Sequence, residues 1–197
     1  MKTKRPLFYL RRKFDTLLQQ WKKRENRLPL IIKGARQVGK TETIRHFADE
    51  SYANFIEINF VERPEFKEII RDGFSVDALI RNISIIDPKL RFIPDNTLLF
   101  FDELQEFPEI ATALKFFAQD GRFDVICSGS LLGIQVKRVK SYSVGFQETE
   151  TMYSLDFEEF LWGCGYQDTQ LDGLLEPIMT RNPFGKAVKD TMDRHFL

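Results

Sequence analysis

The chain has 197 residues, 43% of them hydrophobic and 13% aromatic, with 29 basic and 29 acidic side chains. This is enough apolar material for one larger domain, or for one domain with an appendage. The longest apolar runs fall far short of the roughly 20 residues that cross a bilayer, and the start MKTKRPLFYLRRKF has no signal-peptide core, so a soluble protein with the cytoplasm as its default location is expected.

The neutral total hides an asymmetry. Residues 1–40 hold 13 Lys and Arg against two acids, which leaves 16 basic and 27 acidic residues in 41–197. The clusters Arg11–Lys13 and Lys22–Arg24 fit nucleic acid, a protein partner or the chain's own acidic part, beside the plain alternative of a solvated helix face. Two cysteines, Cys127 in an apolar run and Cys164 at helical spacing from Phe157, Phe160 and Leu161, give neither a disulfide framework nor a zinc cluster and read as small buried hydrophobes.

From Pro6 to Arg24, Leu10, Phe14, Leu17, Leu18 and Trp21 recur at helical spacing and predict an amphipathic helix. LPLIIK then reads as a strand, the glycine loop follows, and Ile44, Phe47 and Ala48 resume helical spacing. NFIEINF (54–60) and TLLFF (97–101) read as strands. Between them lie two helical stretches, one around Glu65–Arg71 and one carrying Val76, Leu79, Ile80 and Ile83, stopped by Asp87 and Pro88. A helix from Pro108 with Ile110, Leu114 and Phe117 in register ends at Gly121, a C-terminal cap. FDVICS predicts a fourth strand, GFQETETMYSL from Gly145 a fifth, and FEEFLW a helix ending at GCG. Beyond Gln167 the pattern weakens, although KAVKDTMDRHFL (186–197) is compatible with a helix. Alternating strands and helices predict an α/β fold with a mainly parallel sheet covered on both faces.

Gly34-Ala35-Arg36-Gln37-Val38-Gly39-Lys40-Thr41 satisfies G-x-x-x-x-G-K-[ST] at every fixed position, between a predicted strand and a predicted helix as the motif requires. Chance gives this pattern in roughly one chain of this length in a hundred. The glycines let successive N–H groups turn toward phosphate oxygens, and the new helix presents its positive end to the same anion. Lys40 would reach the β- and γ-phosphates, and Thr41 would place its hydroxyl on Mg²⁺, a cation that takes oxygen ligands.

The second metal ligand is expected at the end of a buried strand, where TLLFFDE supplies Asp102. Glu103 is then the candidate general base that activates the attacking water. After the fourth strand, Ser128 or Ser130 could meet the γ-phosphate, with Ser128 preferred as the one nearer the strand end. Adenine is favoured as the base because no N-K-x-D guanine reader occurs. His46 and His195 lie outside any metal-ligand spacing and read as structural or solvated.

With RLPLIIKGARQVGKT, FFDELQE, SGSLLG and SLDFEEFLWGCG in this order, the sequence resembles a family of bacterial and archaeal AAA+-like P-loop ATPases, which carry an N-terminal P-loop domain followed by a C-terminal domain of unknown function. The resemblance covers residues 5 to 165 and includes Arg36, Gln37, Gln105 and Glu106. It implies a three-layer P-loop NTPase sheet with strand order 5-1-4-3-2, ATP and Mg²⁺ as ligands, and the roles given above for Lys40, Thr41, Asp102 and Glu103. Two departures stand out. The chain stops about where the second domain of such proteins begins, and no lid or transition-state arginine is assignable, Arg138 being a guess and Arg36 reading better as a residue that orders the loop.

The expected organisation is a basic N-terminal helix over 1–27, a P-loop ATPase core over 28–165 and a tail over 166–197 that starts a truncated second domain. The expected function is ATP binding, with Mg²⁺-dependent hydrolysis in the complete protein and a possible homo-oligomer. The alternatives are a nucleic-acid-associated or regulatory ATP switch using the basic helix, and a small-molecule kinase on the same fold.

Overall fold

Strands of four to seven residues pair in parallel to form one sheet: β1 (Leu30–Gly34), β2 (Asn54–Asn59), β3 (Thr97–Asp102), β4 (Asp124–Ser130) and β5 (Glu148–Thr151). The computed structural model describes residues 9–130 and 145–171. The strand order is β2-β3-β4-β1-β5, the expected order counted from the other edge, and every pairing is parallel.

Because successive side chains of a strand point to opposite faces, the near-continuous apolar runs supply two cores at once. On one face Leu30, Ile32, Leu98, Phe100 and Ile126 pack with Ile44, Phe47 and Ala48 of α2 (Lys40–Ser51) and with Phe14, Leu18 and Trp21 of α1 (Lys13–Lys22). On the other, Ile31, Leu99, Phe101, Val125 and Cys127 pack with Val76, Leu79 and Ile83 of α3 (Val76–Ile86) and with Leu114 and Phe117 of α4 (Leu114–Asp120). This is the three-layer arrangement predicted.

Local signals account for several element ends. Ser75 caps α3 by accepting from the Ala78 N–H, and Gly121 ends α4 in the left-handed conformation at φ 71°, as the sequence predicted. Two predicted helical stretches adopt the tighter 3₁₀ form instead, over Pro64–Ile70 and Pro108–Ala113. Each opens on a proline, and the second passes directly into α4.

The described residues fall into two compact units, one formed by 13–130 with 145–154 and one by 9–12 with 155–171. In the second unit α5 (Phe157–Gly163) opens with a capping box: Asp156 accepts from the Glu159 N–H at 2.9 Å and Glu159 accepts from the Asp156 N–H at 3.1 Å. Arg12 pairs with Glu159 at 3.2 Å with both side chains buried, and Arg11 bonds Asp168 and lies 4.0 Å over the Trp162 ring. Among the described residues α1 begins at Lys13, later in the chain than the helical spacing predicted, and Arg11 and Arg12 just before it pair with Asp168 and Glu159.

Cys127 is buried as expected, whereas Cys164 is exposed, a correction that follows from its place at the cap of α5, past the last helical turn. Arg138, His195 and the helix proposed over 186–197 lie outside the described residues.

Candidate functional site

The ladders bring the ends of four neighbouring strands together. Gly34 is in register with Ser130 across β1 and β4, and Asn59 with Asp102 across β2 and β3. A cavity of about 570 Å³ opens at this carboxyl edge, the end of a parallel sheet where ligands of α/β folds bind, and its volume falls in the range of small-molecule sites.

One side of the cavity is the glycine loop. The chain leaves β1 at Gly34, turns through left-handed conformations at Gln37 (φ 64°) and Gly39 (φ 95°), and enters α2 at Lys40. No side chain caps the start of α2, which is what a helix end that receives an anion requires. Arg36, Gln37, Gly39, Lys40 and Thr41 line the cavity. Lys40 Nζ donates to the Gly34 carbonyl at 3.1 Å and the Ala35 carbonyl at 2.7 Å. Burial pulls the Lys40 ammonium below the ordinary lysine range, opposed by the charges of Glu103 and then Asp102. Arg36, expected to order the loop, is exposed at the cavity edge. Val38 packs against the core of the α2 face, with a methyl 3.2 Å from where a β-carbon on Gly34 would sit.

Opposite the loop stands Asp102, buried at the end of β3. Thr41 Oγ1 donates to Asp102 Oδ2 at 3.1 Å, and Asn59 Nδ2 donates to the same oxygen at 3.2 Å. The Glu103 N–H donates to Oδ1 at 3.0 Å, and the Ser128 hydroxyl donates there as well. The two predicted metal ligands, 61 positions apart in sequence, are therefore in contact. Their donor set, a hydroxyl and a carboxylate oxygen held in place by further donors, suits a hard divalent cation. The cavity wall has five carboxylates, Glu42, Glu62, Asp102, Glu103 and Glu106, against the two cations Arg36 and Lys40, a net negative lining that favours a cation entering with any anionic ligand.

Glu103 lines the same cavity, with a left-handed backbone (φ 58°) that is uncommon outside glycine. Ser128, preferred in sequence as a phosphate contact, is fully buried beneath Asp102, and Ser130 is the serine on the cavity wall. The reason is the length of β4, which runs two residues further than FDVICS and so encloses Ser128 within the sheet. Sequence reasoning missed Asn59 and gave Gln105 no role. The polar residue ending the alternating strand NFIEIN was the only signal for Asn59, and its register with Asp102 is a tertiary fact. His46 lies on α2 beside Glu50 at 3.5 Å, an ordinary helix-surface pair.

Residues 26–161 match the AAA domain family. No curated protein sequence matches the chain. Among solved structures, the chain is similar to the Walker-type ATPase PABY2304 of Pyrococcus abyssi, with a TM-score of 0.50 and 17% identity over 94% of this chain and 72% of that one. A second similar structure is PCH-2 of C. elegans, with a TM-score of 0.40 and 15% identity over 84% of this chain and 44% of that one. The first likeness is one of fold, and it agrees with the parallel sheet described above. With 26–161 matched, a span that includes every strand of the sheet and the whole cavity wall, the chain belongs to the AAA domain family of P-loop ATPases.

Proposed function

We propose that this chain binds ATP with Mg²⁺ and hydrolyses it at the carboxyl edge of the sheet. The observation that carries the reading is the convergence of Lys40, Thr41, Asp102 and Glu103 on one cavity wall, with Thr41 and Asp102 3.1 Å apart.

In this reading the loop amides and the start of α2 hold the phosphates, and Lys40 gives up its two carbonyl partners to take the β- and γ-phosphate oxygens. Thr41 and Asp102 would hold Mg²⁺, which when bound would supply positive charge against the charge that develops on the phosphate oxygens. Ser128 and Asn59 fix the Asp102 carboxylate from either side. Glu103 orients a water and takes its proton as the water oxygen bonds to the γ-phosphorus and the bond from that phosphorus to the β,γ-bridging oxygen breaks, releasing ADP and phosphate. Arg36, at the cavity edge, is free to approach the phosphates as they enter.

Two substitutions separate holding from chemistry. Lys40→Ala should abolish binding of a fluorescent ATP analogue, whereas Glu103→Gln should keep that affinity and lower phosphate release by about 10²-fold or more, the scale of a general-base contribution. Unchanged analogue binding in the lysine variant would sink the assignment of the site.

A further inference from the structure

Gln105 is half-buried in the short turn Leu104–Glu106 that follows β3. Both ends of its amide are engaged. Nε2 donates to Glu103 Oε2, and Oε1 accepts from the Ser130 N–H at 3.3 Å. Ser130 is the last residue of β4, in register with Gly34 at the start of the glycine loop. A single side chain thus ties the Glu103 carboxylate to the backbone of the neighbouring strand.

The turn does not need this amide in order to form. It is already closed by backbone bonds from the Glu106 N–H to the Glu103 carbonyl at 2.8 Å and from the Phe107 N–H to the Leu104 carbonyl at 3.1 Å, and anchored by buried Leu104 and Phe107. What the turn leaves unset is the aim of Glu103, a side chain with several rotatable bonds on a left-handed residue. That residue lines the same cavity as Lys40 and Thr41.

We propose that Gln105 is the positioning residue for Glu103, holding its carboxylate toward the γ-phosphate position and fixing it to the end of β4. The inference rests on the reading of Glu103 as the general base. It gives the glutamine of FFDELQE a task in the chemistry, and it makes the alignment of the base depend on where β4 ends.

The test compares steady-state phosphate release, and affinity for a non-hydrolysable ATP analogue, in the full chain and in Gln105→Met, which keeps the length and volume of the side chain without its amide. The kcat should fall about tenfold to a hundredfold, the scale of an ångström-sized misplacement, while KM and analogue affinity stay within about twofold. Gln105→Glu keeps an acceptor for the Ser130 N–H but loses the donor to Glu103, and should fall at least as far. In a Glu103→Gln background, Gln105→Met should leave the residual single-turnover rate unchanged, because the group it positions is gone. A kcat within about twofold of wild type, a fall of equal size in the Glu103→Gln background, or a loss of analogue affinity in proportion to the rate would overturn the proposal. A wild-type chain that binds the analogue and releases no phosphate would instead overturn the base assignment, and this inference with it, before any substitution is compared.

Discussion

Gly34, the first glycine of the loop motif, is required by the sheet itself. A β-carbon built on it would lie 2.4 Å from the Met152 carbonyl oxygen, against 3.4 Å or more for an ordinary contact, so Gly34→Ala forces a displacement of about 1 Å. The obstacle is backbone, fixed by the bond from the Met152 N–H to the Lys33 carbonyl at 2.7 Å, and cannot rotate aside. Moving it by that much breaks this bond, at about 1 kcal/mol, and overpacking of a filled site adds about 1–3 kcal/mol. The expected loss is about 2–4 kcal/mol, or roughly 4–16 °C in Tm for a chain of this size. Urea unfolding followed by tryptophan fluorescence measures it, since Trp21 packs in the same core as Met152. An alanine variant with wild-type stability would refute the argument; one that kept its stability but lost nucleotide binding would assign the glycine to the phosphate alone.

Ser128→Ala removes a fully buried donor to Asp102; it should cost about 1.5–3 kcal/mol and weaken Mg²⁺-dependent analogue binding about tenfold, and calorimetric titration at fixed nucleotide and varied Mg²⁺ reads the second effect. Tyr52→Phe removes a 2.7 Å bond to Asp124 and should cost about 1.5 kcal/mol near neutral pH, the low end for a charged acceptor because Arg27 still holds that carboxylate. Burial and then Asp124 push the Tyr52 hydroxyl well above its usual 10.0. The folded state therefore keeps a proton that the unfolded chain releases, and the stability it contributes is present below about pH 10 and lost above it; urea midpoints between pH 8 and 11 should fall more steeply in wild type than in Tyr52→Phe. Arg12→Met leaves Glu159 buried without its cation, a change worth about 3–5 kcal/mol, and hydrogen exchange across Phe157–Gly163 should speed up accordingly; unchanged protection there would refute the importance of the pair.

The glycine loop, Asp102 and the five strands were legible because each is written locally: fixed spacing in the loop, continuous apolar runs in strands buried on both faces. The strand order came from the family resemblance, since no local pattern states which runs become neighbours. The residues around Asp102 were not legible for the same reason. Asn59 reaches Asp102 only through the β2–β3 register, and Gln105 reaches Ser130 only because β4 ends beside the turn after β3. The choice between Ser128 and Ser130 turned on two residues of strand length, since two more ladder positions bury Ser128 against Asp102 and leave Ser130 on the cavity wall. The 3₁₀ stretches were read as α-helix because a window of five to seven residues does not separate a repeat of 3.0 from one of 3.6.

Part of the charge asymmetry is met by pairing within each unit. In the unit built on the sheet, Arg24 meets Glu148 and Arg27 meets Asp124, the latter at 2.5 Å with both side chains mostly buried. Lys22 bonds the Ser51 carbonyl and lies 3.4 Å over the Tyr52 ring. In the other unit, Arg11 and Arg12 meet Asp168 and Glu159. Cations committed in this way are not the free row of charges that neutralises a phosphate backbone. The exposed pairs of Arg11 and Arg24 are weak and exchangeable, but Arg12 and Arg27 are mostly enclosed with their partners, and releasing either would take the cation away from a largely buried carboxylate. Among the described residues, four of the basic side chains in the first 40 positions, Arg11, Arg12, Arg24 and Arg27, are thus committed to acids of the later chain, as the reading of a patch for the chain's own acidic part expects.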